Sequence, residues 1–364
     1  MRKVAFGPMV HLPSTDWVGR DVAEFLRDAY DDIHVELFDN FDAIPDAEVI
    51  FIIKLMPPLN WLLNAQKRGI NVLYFPIDYF HHPALFAKER VKLAQFDCVL
   101  LHNERLRPHL PNDVKNVVCV DHYLKYRLPE AKTFQDEGFI LWIGHIEYLP
   151  PLFKALSKHK LPHPLKVLTD LENLPAKVNF LREKLQQAGV SYSLQESDHQ
   201  MVLNGVGLEQ WSANKQEEYM LSCKAAFDTK NDGFAHNLKP PTKAQKYVFN
   251  GIPFAISKHS YGYDYFLNKG FELATLENHE RWLSKDYFDE INAFKNRYAH
   301  TQTLEYISSQ YLSAAESTLN NSTQGQLNHY LWLYLLVKDC LNNAFYIAHR
   351  VSEKIRTKVM GREQ

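Results

Sequence analysis

Residues 49–75 read VIFIIKLMPPLNWLLNAQKRGINVLYF. The run Val49–Ile53 is unbroken β-branched and aromatic, with none of the polar alternation of a half-solvated strand. Such runs belong to strands covered on both faces, as in a parallel sheet. Leu59 to Lys67 then has apolar residues at helical spacing, and Asn71 to Phe75 is a second buried strand. The same rhythm extends in both directions. Upstream, Val4–Phe6 predicts a strand, Trp17 to Tyr30 an amphipathic helix through Val18, Val22, Phe25 and Leu26, and His34–Phe38 a further strand. Downstream come a helix over 84–94 and strands at Cys98–Leu101 and Val117–Val120. Strand and helix alternating in this way predict an open, doubly wound α/β sheet.

Residues 128–138 (LPEAKTFQDEG) are polar and poor in apolar groups, and predict an interdomain linker. Beyond them the alternation restarts. Strands are expected at Phe139–Ile143, Leu165–Leu168, Val190–Leu194, Ala225–Phe227 and Pro253–Ile256, with helices over 175–189 and 215–221. After Thr275 the pattern is helical throughout. The expectation is an α/β chain of two doubly wound, Rossmann-like domains, 1–130 and 131–275, followed by a helical segment, 276–364. Open parallel sheets bind ligands beyond the carboxyl ends of their strands, so two in tandem predict a ligand cleft between them.

Composition narrows the function. The 364 residues are 46% hydrophobic and 23% charged, ordinary for a globular chain. Lys and Arg total 41 against 43 Asp and Glu, a net charge of -2, which gives no bulk electrostatic reason to bind nucleic acid. Cys98, Cys119, Cys223 and Cys340 are far apart and form neither a zinc knuckle nor a disulfide framework. The start of the sequence lacks a secretory pattern, and the apolar run 330–337 is far short of the ~20 residues of a membrane-spanning helix. A cytoplasmic protein is the expectation.

The stretch richest in chemistry is 227–254, FDTKNDGFAHNLKPPTKAQKYVFNGIPF. A strand ends at Phe227, a polar loop with Gly233 follows, and Pro240 and Pro241 suit the opening of a helix. That helix is expected over 242–249, with Gly251 as its C-terminal cap. Lys239 and Lys243 flank its first turn. Two ammonium groups at a positive helix end conflict unless an anion lies between them, and a pyrophosphate would relieve the conflict. A solvated cationic loop capped by Thr242 is the plainer alternative.

This segment, K-P-P-T-K followed by a helix and G-I-P-F, resembles the donor-binding segment of retaining GT-B glycosyltransferases. The strand Phe139–Ile143 with Gly144-His145 resembles the first strand and glycine turn of their C-terminal domain, and Trp211 with the helix before Ala225–Asp228 fits their layout. The resemblance implies a metal-independent, hexosyltransferase-like enzyme of polysaccharide biosynthesis, with a nucleotide-diphosphate sugar as donor and no further cofactor. It also implies a glycan, lipid or small-molecule hydroxyl as acceptor. The donor would lie against Gly144, His145, Lys239, Thr242 and Lys243, and the final helices would cross back onto the first domain. The chain departs from the family pattern at the glutamate pair that flanks the donor loop. Leu238 and Lys246 fall at those positions, and His145 stands where Arg is frequent. Asp228, Asn237 and Gln245 are candidate replacements for ribose and sugar contacts. A catalytically inactive binding or assembly protein of the same fold is the alternative.

Candidates in the first half lie at strand ends. Asp78 and His102 are the expected catalytic groups, as base or as positioners of an acceptor hydroxyl, with His11, His82 and Asn103 nearby in sequence. Ser14, Thr15 and Asp16 are expected to cap the first helix. No D-x-D motif is present, so no metal is expected. The tail mixes Leu331, Leu335, Tyr346, Ile347 and Val351 with Arg350, Lys354, Arg356 and Lys358. That pattern fits peripheral contact with the inner membrane face as well as packing, and packing is preferred.

Overall fold

The computed structural model describes residues 2–197, 200–230, 233–320 and 329–360. They fall into two units, one made of the chain up to Tyr123 together with Thr301 onward, the other of Leu124–His300. In chain order the first unit opens with β1 (Arg2–Gly7), α1 (Pro13–Thr15), a π-turn over Asp16–Arg20, and α2 (Asp21–Ala29). It continues through β2 (Ile33–Leu37), β3 (Val49–Ile53), α3 (Leu59–Lys67), β4 (Asn71–Phe75), α4 (Ala84–Lys88), α5 (Arg90–Leu93), β5 (Cys98–Leu101) and β6 (Val117–Cys119). The second unit holds β7 (Ile140–Ile143), α6 (Leu149–Leu156), β8 (Leu165–Thr169), α7 (Leu174–Gln187), β9 (Leu194–Ser197), β10 (Gln200–Leu203), β11 (Val206–Gln210) and α8 (Ala213–Ser222). It closes with β12 (Ala225–Asp228), α9 (Phe234–Asn237), α10 (Thr242–Val248), β13 (Phe254–Ile256), α11 (Tyr261–Asn268), α12 (His279–Trp282) and α13 (Lys285–Tyr298). Two helices then return to the first unit, α14 (Leu304–Asn320) and α15 (His329–Met360).

The first sheet is parallel throughout, in the order β2-β1-β3-β4-β5-β6. All five residues of β3 and of β4 are buried, as their near-continuous apolar sequence requires. On one face α2 and α14 cover Phe6, Phe51 and Phe75; Phe6 and Phe51 stack at 4.5 Å, and the Tyr311 hydroxyl donates to Val18 O at 2.9 Å. On the other, Trp332, Leu335 and Leu336 of α15 pack on Leu59, Leu63 and Val91. Full burial of each such side chain is worth ~2 kcal/mol.

The second sheet runs β13-β12-β7-β8-β11-β10-β9. Its first five strands are parallel, and β10 runs antiparallel to both of its neighbours, β11 and β9. The expected strand at 190–194 is therefore displaced to Leu194–Ser197, and the hairpin β10–β11 was not foreseen. Its two-residue turn is Asn204-Gly205, with φ of 51° and 79°, the left-handed pair that a tight hairpin needs.

Two expectations about boundaries are corrected. Residues 128–138 form a strap on the second unit and not a free linker: Leu128 N donates to Asn250 Oδ1 at 2.8 Å, and the buried Lys132 donates to Leu221 O at 2.6 Å. The second unit also extends past 275, because Trp282, Tyr287, Ile291 and Phe294 complete its core. The Tyr287 hydroxyl ties this helix to the sheet, donating to Phe254 O and accepting from Ala274 N, both at 2.9 Å.

Candidate functional site

In the second sheet the chain passes from β7 outward to β8 on one side and later returns to β12 on the other. The switch point therefore lies between β7 and β12, where ligands of open α/β sheets bind beyond the carboxyl ends. The segment after β7 brings Gly144, His145 and Tyr148 there, and the segment after β12 brings Asp228, Lys230 and His236. The two meet through the Tyr148 and His236 rings, 5.2 Å apart, and through Lys230 Nζ, 5.7 Å over the Tyr148 ring.

Asp228 ends β12 and is 2% exposed. Lys243 Nζ donates to its Oδ1 at 2.8 Å and sits 5.1 Å over the Trp142 ring, while Lys230 Nζ stands 3.0 Å from Oδ2. Burial works to raise the Asp228 carboxyl, but the two lysines outweigh it and hold the group below its usual range. Burial, opposed by Asp228, lowers the Lys243 ammonium. The crowding that called for an anion is thus partly met from within the chain. A surplus remains. Lys230, Lys239 and Lys243, with His236, share with this one carboxylate a small recess of about 20 Å³, also edged by Ser260 and Tyr261. That is space for a single water-sized group.

The other expected donor contacts divide. Gly144 is glycine for a packing reason, since a Cβ there would stand 2.4 Å from the Trp142 ring. His145 Nε2 pairs with Asp170 Oδ2 at 3.1 Å just after β8. Thr242 is the first residue of α10, with Pro241 at the cap position and no side-chain capping bond, so the capped-loop alternative fails in that detail. Asn237 ends α9 and is partly buried. Gln245 is buried and donates to the Tyr265 hydroxyl at 3.0 Å. Lys246 donates to Gln216 Oε1 at 2.9 Å, and burial, aided by Lys243, brings its ammonium down to about 7. Asn231 and Asp232 lie outside the described residues.

The carboxyl edge of the first sheet carries a second polar group. Asp78 follows β4 with φ 56°, and Lys54 follows β3 with φ 64°. Both are left-handed non-glycine positions, which cost roughly 1–3 kcal/mol each and cluster at functional sites. Lys54 Nζ stands 4.0 Å from Asp78 Oδ2 and donates to Ser14 Oγ at 3.1 Å. His102 is 4% exposed, its ring 6.2 Å from that of His122, which burial, with the neighbouring His102, brings down to about 3. Sequence reasoning named Asp78 and His102 and missed Lys54, His122 and Lys230. Each of these follows a strand the sequence did disclose, and that position was the available signal. Two of the candidates have structural partners, and the expected helix cap is corrected. Asn103 caps the following turn, its Oδ1 accepting from Arg105 N; His82 accepts from Ala84 N and faces Glu353 on α15; and Ser14, Thr15 and Asp16 leave the first helix uncapped. Among the described residues no group of three or more His, Cys, Asp or Glu is placed to hold a metal ion.

No protein-family model and no curated protein matches the sequence. The structure is similar to a solved glycosyltransferase from Rickettsia africae ESF-5, with a TM-score of 0.57 and 9% identity over 88% of this chain and 99% of that one. It is also similar to AviGT4, a glycosyltransferase involved in avilamycin A biosynthesis, at 0.52 and 11% over the same shares. The GtfA/B complex is matched over 74% of this chain and 57% of that one, with a TM-score of 0.49. This chain therefore spans little more than half of that relative. At these identities the likeness concerns the fold, which is GT-B: two Rossmann-like units, the first completed by the C-terminal helices.

Proposed function

We propose that this chain transfers a sugar from a nucleotide-diphosphate donor to a hydroxyl acceptor. The observation that carries the reading is the convergence of Lys230, Lys239 and Lys243 with Asp228 on one recess at the β7/β12 switch point. A phosphate oxygen enters the recess, and the rest of the diphosphate lies over its mouth against Lys230 and Lys239. As the glycosidic bond breaks, negative charge gathers on the leaving phosphate, and lysines fixed by Asp228 stabilise it without reorganising. Lys246 occupies the position where the family has a ribose-contacting glutamate and offers a donor in its place. Asp78 and His102, with Lys54, handle the acceptor hydroxyl. The sugar comes from the nucleotide donor alone, with no cofactor or metal assigned a step.

The missing glutamate pair favours a second reading, a binding or assembly protein that keeps the donor site without turnover. Isothermal titration with UDP, GDP, ADP and CDP separates these readings from a chain with no nucleotide site. Binding of one nucleoside diphosphate is expected, weakened about tenfold in Lys239→Ala, with the melting temperature unchanged. Binding without hydrolysis or transfer across a donor panel selects the second reading. Absence of binding by every nucleotide removes both.

A further inference from the structure

The 32-residue helix α15 is apolar on two opposite faces. The inner face seats Trp332, Leu335 and Leu336 on α3 and α5. The outer face carries Tyr334, Val337, Leu341, Phe345, Val351 and Ile355, each between 50% and 74% exposed. At 100° and 1.5 Å per residue these six fall within an arc of about 120° and along roughly 30 Å of helix. An apolar strip of that extent exceeds the scattered exposure normal for a soluble surface and marks an interaction face.

The charges on the helix identify the occupant. Asp339 and Glu353 are the acidic residues among its described side chains, and both are engaged away from the strip. Asp339 accepts from Asn343 Nδ2 and lies within electrostatic reach of Lys88 and Lys92, while Glu353 meets His82 Nε2 at 3.3 Å and Arg350 Nη1 at 3.2 Å. Lys338, whose Nζ lies 5.6 Å over the Tyr334 ring, and Arg356 flank the strip, and neither pairs with a carboxylate among the described residues of the helix. The α15 of a second copy laid against this face would present an apolar strip edged by the same cations, Lys338 and Arg356. An anionic lipid surface supplies both an apolar layer and the complementary charge. We infer that the outer face of α15 seats the protein on an anionic membrane surface, with Tyr334 to Ile355 entering the interface and Lys338 and Arg356, at the edge of the strip, lying at headgroup level. No helix among the described residues is long and apolar enough to cross a membrane, so the seat is peripheral.

The test is flotation of the full chain with vesicles of phosphatidylglycerol and phosphatidylcholine, and with phosphatidylcholine alone. Flotation with the anionic vesicles, lost at high salt, is expected. The double variant Leu341→Glu/Phe345→Glu should lower the bound fraction about tenfold, and Arg356→Glu should weaken it on anionic vesicles only. All three side chains are exposed, so melting temperature and nucleotide titration should match the wild type. That comparison separates failure here from failure of the sugar-transfer reading. Failure of the wild type to float, or equal flotation of the variants, overturns the inference. So does a wild-type dimer that Leu341→Glu/Phe345→Glu converts to monomer without any vesicle binding.

Discussion

His122 shows how much of this protein's chemistry rests on single buried groups. Its ring is enclosed by Trp17, Phe75 and His102, at centroid distances of 5.6, 6.0 and 6.2 Å. The folded state therefore holds it neutral, with a pKa of about 3 against 6.5 for a free side chain. Between those values the unfolded chain binds a proton that the folded chain refuses, so stability rises with pH across the window and is lost as pH falls from 6.5 towards 3. The loss at pH 4 should reach up to ~3 kcal/mol. In His122→Phe the drop in melting temperature between pH 7 and pH 4 should be smaller; an unchanged drop would remove this account. Asp228 teaches the same lesson about charge. The sequence displayed the lysines at 239 and 243, but the carboxylate that partners Lys243 lies at the end of the preceding strand. A pairing across that separation has no local signature.

Helix α10 shows what can be read at the level of an element. Its C-terminal glycine was legible from the pattern of a breaker-free run, glycine and then proline, and the structure places it in a double-bonded cap. Gly251 N donates to Val248 O at 2.9 Å, Ile252 N donates to Tyr247 O at 3.0 Å, and Gly251 has φ 74°. A Cβ there would also lie 2.6 Å from Asn292 Oδ1. Gly251→Ala should therefore cost ~1–3 kcal/mol in urea denaturation, from left-handed strain plus displacement of Asn292. Adding Asn292→Ala should recover part of that cost, and no recovery would mean the backbone alone is responsible. The β10–β11 hairpin was equally available in Asn204-Gly205, yet the alternation of Val190, Tyr192 and Leu194 drew the strand upstream. Strands β3 and β4 were legible to the residue because burial on both faces leaves a near-continuous apolar run, broken only by Asn71 at the start of β4. The site was less so, because which side chains converge beyond a sheet edge depends on strand order, which periodicity does not encode.

At the scale of the molecule, the second unit is continuous in sequence and owns its core, from Trp142 through Phe294. Residues 124–300 expressed alone should fold cooperatively and, on the sugar-transfer reading, bind the same nucleoside diphosphate as the full chain within about threefold, since all three recess lysines lie inside it. A fragment that folds but binds nothing would place essential contacts in the first unit. The first unit has no such autonomy, because Ile307, Tyr311, Ala314 and Ala315 cover a face of its sheet. On the ribosome this imposes an order. The β1–β6 segment emerges first, yet its aromatic face must wait for residues 301–320 to be synthesised, while the middle of the chain can finish folding beforehand. During that interval the nascent half presents Phe6, Phe51 and Phe75 to its surroundings, and a folding chaperone has its natural client there.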